Sequence, residues 1–193
     1  MMRRVALCCA LLLGPPALAQ ADLRPEDALR LQGFTQAAGD ALLQALAGGA
    51  TGDVAALSKA LSGTPQIAFD ASLVGDWNCR TMKLGGISPL VVYTNFKCRF
   101  TASDTGFAFE KLSGSQRTRG TITLRDGRAV YIGVGFVAGE DPPDYADLPT
   151  DFQSNGTIQT DIAIYERTSP SRARLMFPSP AVESDFDILE LTR

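Results

Sequence analysis

The densest polar block in the sequence is Ser115-Gln116-Arg117-Thr118-Arg119, bounded by Gly114 and Gly120. Hydroxyl, amide and guanidinium groups this close together can hold a ligand or partner through directional hydrogen bonds and charge. Ser115, Gln116, Arg117 and Arg119 are therefore candidate contact residues, placed at a turn and strand start. The competing reading is structural, with Arg117 or Arg119 paired to a late carboxylate such as Glu183, Asp185 or Glu190. Arg80, Lys97 and Arg99 form a second candidate surface. Like charges facing one another across a strand pair are unfavourable unless answered, so acids within the chain, the expected answer, or an anionic partner must meet them. Glu140, Asp141, Asp144, Asp147 and Asp151 offer carboxylate oxygens of the kind calcium takes. Their spacing matches no calcium loop, and Pro142, Pro143 and Pro149 stiffen the segment, so a solvated loop is expected. No metal and no cofactor are expected.

The N-terminus bears on the remaining chemistry. Arg3 and Arg4 precede the apolar run Val5–Leu13, and Ala17-Leu18-Ala19 ends in a small-x-small pattern. Residues 1–19 read as a secretory signal peptide, too short to span a bilayer. Cys8 and Cys9 sit inside the apolar run rather than after it, which argues against a lipid anchor, and cleavage after Ala19 discards both. The mature chain is expected to be periplasmic or secreted, and the two cysteines left, Cys79 and Cys98, are most simply a structural disulfide.

The sequence contains no histidine. That removes Ser-His-Asp catalysis, histidine-ligated zinc and the commonest acid–base side chain. An enzyme would have to work with carboxylates such as Glu110, Glu140, Asp161, Glu166 and Glu190, and no spacing pairs them. The chain therefore reads as a non-enzyme. With 18 basic against 21 acidic residues it also lacks a nucleic-acid footprint.

The elements that must position these residues divide at about residue 66. Residues 20–66 read as a helical hairpin packed on a β-region. Pro25, Glu26 and Asp27 start a helix whose apolar stripe runs through Leu31, Phe34, Ala38, Ala41, Leu42 and Ala45 to the stop at Gly48-Gly49. Asp53 caps a shorter helix carrying Val54, Leu57 and Leu61. Residues 67–193 switch to period two. Placing Cys79 opposite Cys98 sets Trp77 opposite Phe100 and Thr81 opposite Phe96, with a turn near Ser88-Pro89. Trp77, Phe96, Phe100, Phe107 and Phe109 then share the cysteine face as core aromatics, while Asn78, Arg80, Lys97 and Arg99 face outward. Closing a loop of about 20 residues stabilises by about 3 kcal/mol in the chain-entropy model. Asp126-Gly127 predicts a two-residue hairpin pairing Leu124 with Ala129 and Ile122 with Tyr131. Both faces turn apolar towards Val134–Val137, and the helices are the expected cover. Three further strands are read at 157–167, 172–177 and 186–192. About eight sequential strands predict a small antiparallel barrel, with a two-sheet sandwich as the alternative.

The segments LVGDWNCRTMKLGG, NFKCRF, KLSGSQRTRG and DILELTR together resemble the bacterial secreted family known as domain of unknown function 4893, over most of the mature chain. That resemblance implies no activity. Leu73-Val74-Gly75-Asp76-Trp77 also resembles the Gly-x-Trp start of calycins, among them lipocalins and bacterial metalloprotease inhibitors. It implies a barrel with the tryptophan at its closed end beside a late basic residue, for which Arg193 is available. Together these readings describe an exported, non-enzymatic binding or interaction protein of the cell envelope, whose ligand is a protein partner or a small apolar molecule. A calycin-like inhibitor of an exported protease is the alternative, and a carboxylate-based enzyme ranks last.

Overall fold

The computed structural model describes residues 23–66 and 70–193, so the expected signal peptide lies outside the described residues. Three α-helices precede nine β-strands among them. The expected first helix is broken at Gly33 into α1 (Pro25–Gln32) and α2 (Phe34–Gly48). Glycine is a poor helix former, and here it caps α1 by donating to the Leu29 carbonyl. α3 (Thr51–Leu61) starts two residues before the expected cap; its N-cap is Ala50, and Asp53 lies in its first turn, where the helix dipole favours a carboxylate. The preface is thus three helices rather than a hairpin. α2 buries Ala41 and Ala45 and α3 buries Leu57 and Ala60, and the three alanines let the helices lie close against the sheet.

The strands are β1 (Gly75–Leu84), β2 (Leu90–Val92), β3 (Phe96–Ser103), β4 (Gly106–Lys111), β5 (Gln116–Arg125), β6 (Arg128–Val137), β7 (Ile158–Ser169), β8 (Arg172–Pro178) and β9 (Phe186–Thr192). All neighbours are antiparallel, and β9 pairs back onto β1, so β1 and β3–β9 close an eight-stranded barrel. Closure leaves no long edge to aggregate. β2 only extends the β3 side of β1, pairing with Met82–Leu84.

The first hairpin departs from the expected register. Trp77 pairs with Cys98 and Cys79 with Phe96, so the disulfide joins diagonal rather than opposite positions, with Cα atoms 5.9 Å apart. Gly85–Pro89 forms the turn, and Tyr93-Thr94-Asn95 separates β2 from β3, each of which pairs with β1. A shift of two residues preserves which face each side chain takes. The Asp126-Gly127 hairpin has the expected pairing, with φ of 48° and 76°, both left-handed as a two-residue type I′ turn requires.

Alternation sorts the side chains into two cores. Trp77, Phe100, Phe109, Tyr131, Tyr165 and Leu175 fill the barrel interior. Met82, Val130, Ile132, Val134, Ile162 and Ile188 point outward, beneath the helices. The cover over β6 is shared: Tyr145 and Leu148 of the 139–153 loop join the helices there. One end of the barrel is sealed. The 3-10 turn Ala71–Leu73 plugs it, Trp77 Nε1–H donates to the Leu73 carbonyl at 2.9 Å, and the Arg193 guanidinium lies 4.3 Å over the Trp77 ring. Arg193 thus takes the place beside Trp77 that the calycin resemblance implies.

Candidate functional site

The interior changes character from the sealed end to the open one. Beyond the aromatic layer, positions of the same inward parity are Thr81 and Lys83 on β1, Lys111 on β4, Gln116 and Thr118 on β5, Asp161 on β7 and Asp187 on β9. These polar groups line a cavity of about 70 Å³, and an adjoining depression of about 170 Å³ shares Thr81, Lys83, Lys111 and Gln116 with it. Barrel closure is what assembles the set, because Lys83 and Asp187 are partners across the β1–β9 seam. Lys83, Lys111 and Asp161 are only 7, 6 and 9% exposed. Side chains of these types are almost never buried unless paired.

Their pairing is uneven. Lys83 Nζ meets Glu183 Oε2 at 2.6 Å, and the Gln116 amide donates to the other Glu183 oxygen at 3.5 Å. Lys111 Nζ donates to the Gln116 carbonyl and stands 4.0 Å from the centre of the Phe96 ring. Among the described residues no carboxylate lies within ion-pairing distance of it. Burial, reinforced by the charges of Lys83 and Arg117, lowers the Lys111 ammonium from 10.5 to about 8. Burial also raises Asp187 to about 6 and raises Asp161, which the Thr118 hydroxyl partly offsets. Thr118 Oγ1 lies 2.6 Å from the Tyr131 hydroxyl, whose own ionisation burial pushes far up. Gly133 and Gly135 make this packing possible. A Cβ at Gly133 would stand 2.3 Å from the Tyr131 oxygen, and one at Gly135 would stand 2.6 Å from Asp161 Oδ2. Groups displaced from their ordinary titration and converging in a cleft mark a candidate functional site on physical grounds.

Strand alternation splits the polar block on β5. Gln116 and Thr118 belong to the mouth, and Ser115 lines its outer depression. Arg117 is half-buried, borders the cavity and donates from Nε to the Gly114 carbonyl at 3.3 Å. Arg119 faces outward, where it meets Asp141 at 3.1 Å and Asp144 at 3.8 Å. The late carboxylates expected to answer Arg117 or Arg119 are engaged elsewhere. Glu190 pairs with Arg80 at 2.6 Å, Glu183 with Lys83, and Asp185 accepts from Gln44 at 3.0 Å. Arg99 pairs with Asp76 at 2.6 Å, so acids of the chain answer two of the three outer cations, and Lys97 stays exposed. The acidic loop is tied to the barrel by Arg119 and to the start of α1 by Arg24, which donates to the Leu148 carbonyl at 2.8 Å. Among the described residues no three metal-binding side chains gather.

Trp77, Phe100, Phe107 and Phe109 are buried inside the barrel as expected. Ring centroids of 4.9 Å for Phe100–Phe109 and 5.7 Å for Trp77–Phe100 show that this half is filled by its own side chains. Phe96 is half-buried and forms the boundary with the mouth. The open space of the interior lies at the polar end, which does not suit the small apolar molecule named among the possible ligands.

A family model described as Domain of unknown function (DUF4893) matches residues 19–191. The chain belongs to this family. No curated protein and no solved structure matches it. The DUF4893 match spans every residue of the mouth, including Lys83, Lys111 and Asp187, to which sequence reasoning assigned no role. The signal that would have found them was parity. Lys83 shares its face with Trp77 and Cys79, Lys111 with Phe107 and Phe109, and Asp187 with Leu189 and Leu191. A charge at an inward position of an otherwise apolar face is the anomaly to look for.

Proposed function

We propose that the protein is an exported, non-enzymatic binding protein of the cell envelope that holds a small polar molecule in the mouth of its barrel. One observation carries this reading: a cavity walled by buried charged groups at one end of an otherwise filled interior. The Cys79–Cys98 disulfide supports an oxidising compartment, in keeping with the signal-like N-terminus. An inhibitor would use an N-terminal segment or a loop rim, and against the first of these residues 25–61 are committed to α1–α3, whose apolar faces are docked on the barrel. The test is a thermal-shift screen of polar metabolites on the protein and on Gln116→Trp, which fills the mouth. Compounds that stabilise the first and not the second support the reading. Stabilisation that persists in Gln116→Trp, or none from any compound, overturns it.

A second reading has one specific observation in its favour. Asp161 and Asp187 converge in one cavity with a lysine lowered to about 8, the pairing of displaced acids and bases that general acid–base catalysis uses. Turnover of a mouth ligand that is lost in Asp161→Asn, with binding retained, would replace the binding protein with an enzyme.

A further inference from the structure

We infer that the ligand of the mouth is a compact monocarboxylate carrying a hydroxyl or amino donor, seated between Lys83, Lys111 and the Gln116 amide, and that Glu183 occupies part of this seat in the free protein. The inference rests on the mouth being the binding site.

Glu183 belongs to the connection between β8 and β9 and enters the mouth from outside. Its side chain is 41% exposed, whereas the Lys83 side chain it meets is 9% exposed. Its backbone is left-handed, with φ 70°, a conformation uncommon for a residue with a side chain. The connection is tied down at this residue and just beyond it: Ile87 N–H donates to the Glu183 carbonyl at 3.1 Å, and Asp185 N–H to the Leu84 carbonyl at 3.0 Å. A carboxylate is thereby held where one lysine and one amide converge, which shows the chemistry the seat accepts. Lys83 Nζ and Gln116 Nε2 reach its two oxygens separately.

Lys111 is the part of the seat that Glu183 does not satisfy. An ammonium has three N–H donors, and here one meets a backbone carbonyl while a ring face lies alongside. A second carboxylate placed beside Lys111 would gain a charge-assisted hydrogen bond in an enclosed site, where such bonds are strong. Asp161 and Asp187 stand in the same cavity. Their charge makes a dianion costly, which disfavours phosphate, and their oxygens favour a hydroxyl or amino donor elsewhere on the ligand. The adjoining volumes of about 70 and about 170 Å³ suit a molecule of a few heavy atoms.

The test is a titration followed by amide NMR of the protein, with glycolate, inorganic phosphate and neutral ethylene glycol as probes, on wild type, Glu183→Gln and Lys111→Met. Glycolate is expected to shift the amides of Gln116, Thr118 and Asp161, and phosphate to leave them in place. Glu183→Gln should bind glycolate about tenfold more tightly and Lys111→Met at least tenfold more weakly, each about one decade in Kd. Should Lys111→Met fail to fold, Gln116→Leu reads the same seat and is expected to weaken glycolate. Phosphate binding in preference to glycolate overturns the inference, as does an unchanged Kd in Glu183→Gln. Ethylene glycol shifting those amides while glycolate does not overturns the carboxylate and leaves the polar mouth standing. Silence from all three probes removes both.

Discussion

Lys111→Met is expected to make the protein more stable. Lys111 titrates near 8 in the folded chain against 10.5 for an ordinary lysine, and each unit of difference corresponds to 1.36 kcal/mol between protonation states. Holding the ammonium in place at pH 7 therefore costs about 3 kcal/mol. Methionine keeps the length and apolar stem, loses the charge, and gives up the contact with the Phe96 ring and the bond to the Gln116 carbonyl. A cation over an aromatic face contributes about 1 kcal/mol, and a charged hydrogen bond somewhat more. The net gain is then about 1 kcal/mol, or about 3 °C in Tm for a chain of this size. The pH dependence separates this cause from ordinary repacking. Because the folded pKa is depressed, the unfolded chain binds more protons between 8 and 10.5, so wild-type stability rises with pH across that window. The contribution is fully present above 10.5 and is lost as pH falls through 8. Urea unfolding at pH 7.0 and 9.5 should show wild type gaining on Lys111→Met as pH rises. A variant less stable than wild type by 1 kcal/mol or more at pH 7, with the same difference at pH 9.5, would falsify this account and make Lys111 a structural group. A buried cation kept at a cost to the fold is the pattern expected of a site maintained for binding.

The Cys79→Ser, Cys98→Ser double variant should lose about 3 kcal/mol, about 9 °C in Tm; an unmoved melting temperature would remove the disulfide's role as a staple. Asp27→Ala should cost more. Asp27 is fully buried and accepts from Arg30 at 2.9 Å, Tyr145 at 2.7 Å and Thr160 at 2.9 Å. It joins α1, the 139–153 loop and β7, and breaking a buried, hydrogen-bonded ion pair costs about 3–5 kcal/mol. A loss under 1 kcal/mol in urea would show that this joint is dispensable. Arg119→Ala should change stability by less than about 1 kcal/mol because its partners Asp141 and Asp144 are exposed. It should nevertheless speed proteolytic nicking within 139–153, and an unchanged cleavage rate would show that other contacts hold the loop.

Which face the strands of the first hairpin present was legible. Trp77, Cys79, Cys98 and Phe100 share a face whether the first hairpin is read with the cysteines opposite or diagonal, because face depends only on parity. The Asp126-Gly127 turn, the β9 boundaries and the outward direction of Arg80 and Arg99 follow from equally local signals. The break at Gly33 was also visible in the residue type, though an apolar stripe running through it argued for continuity. The partners of Arg119 were not legible. Arg119 meets Asp141 because the long loop after β6 folds back over β6 and the neighbouring β5, and nothing in the residue spacing sets that path.

Local physics thus determined a good part of this protein from sequence alone: the period-two pattern, the turn chemistry, the apolar helix stripes and the cysteine pair specify an antiparallel barrel with helices laid on it. The mouth was decided by closure. Lys83 and Asp187 lie 104 positions apart in the sequence and become neighbours only when β9 pairs with β1; Lys111, Thr118 and Asp161 arrive from three other strands. Hydrophobic periodicity is a property of each strand by itself, whereas a charged cavity requires the whole ring of strands to be in register.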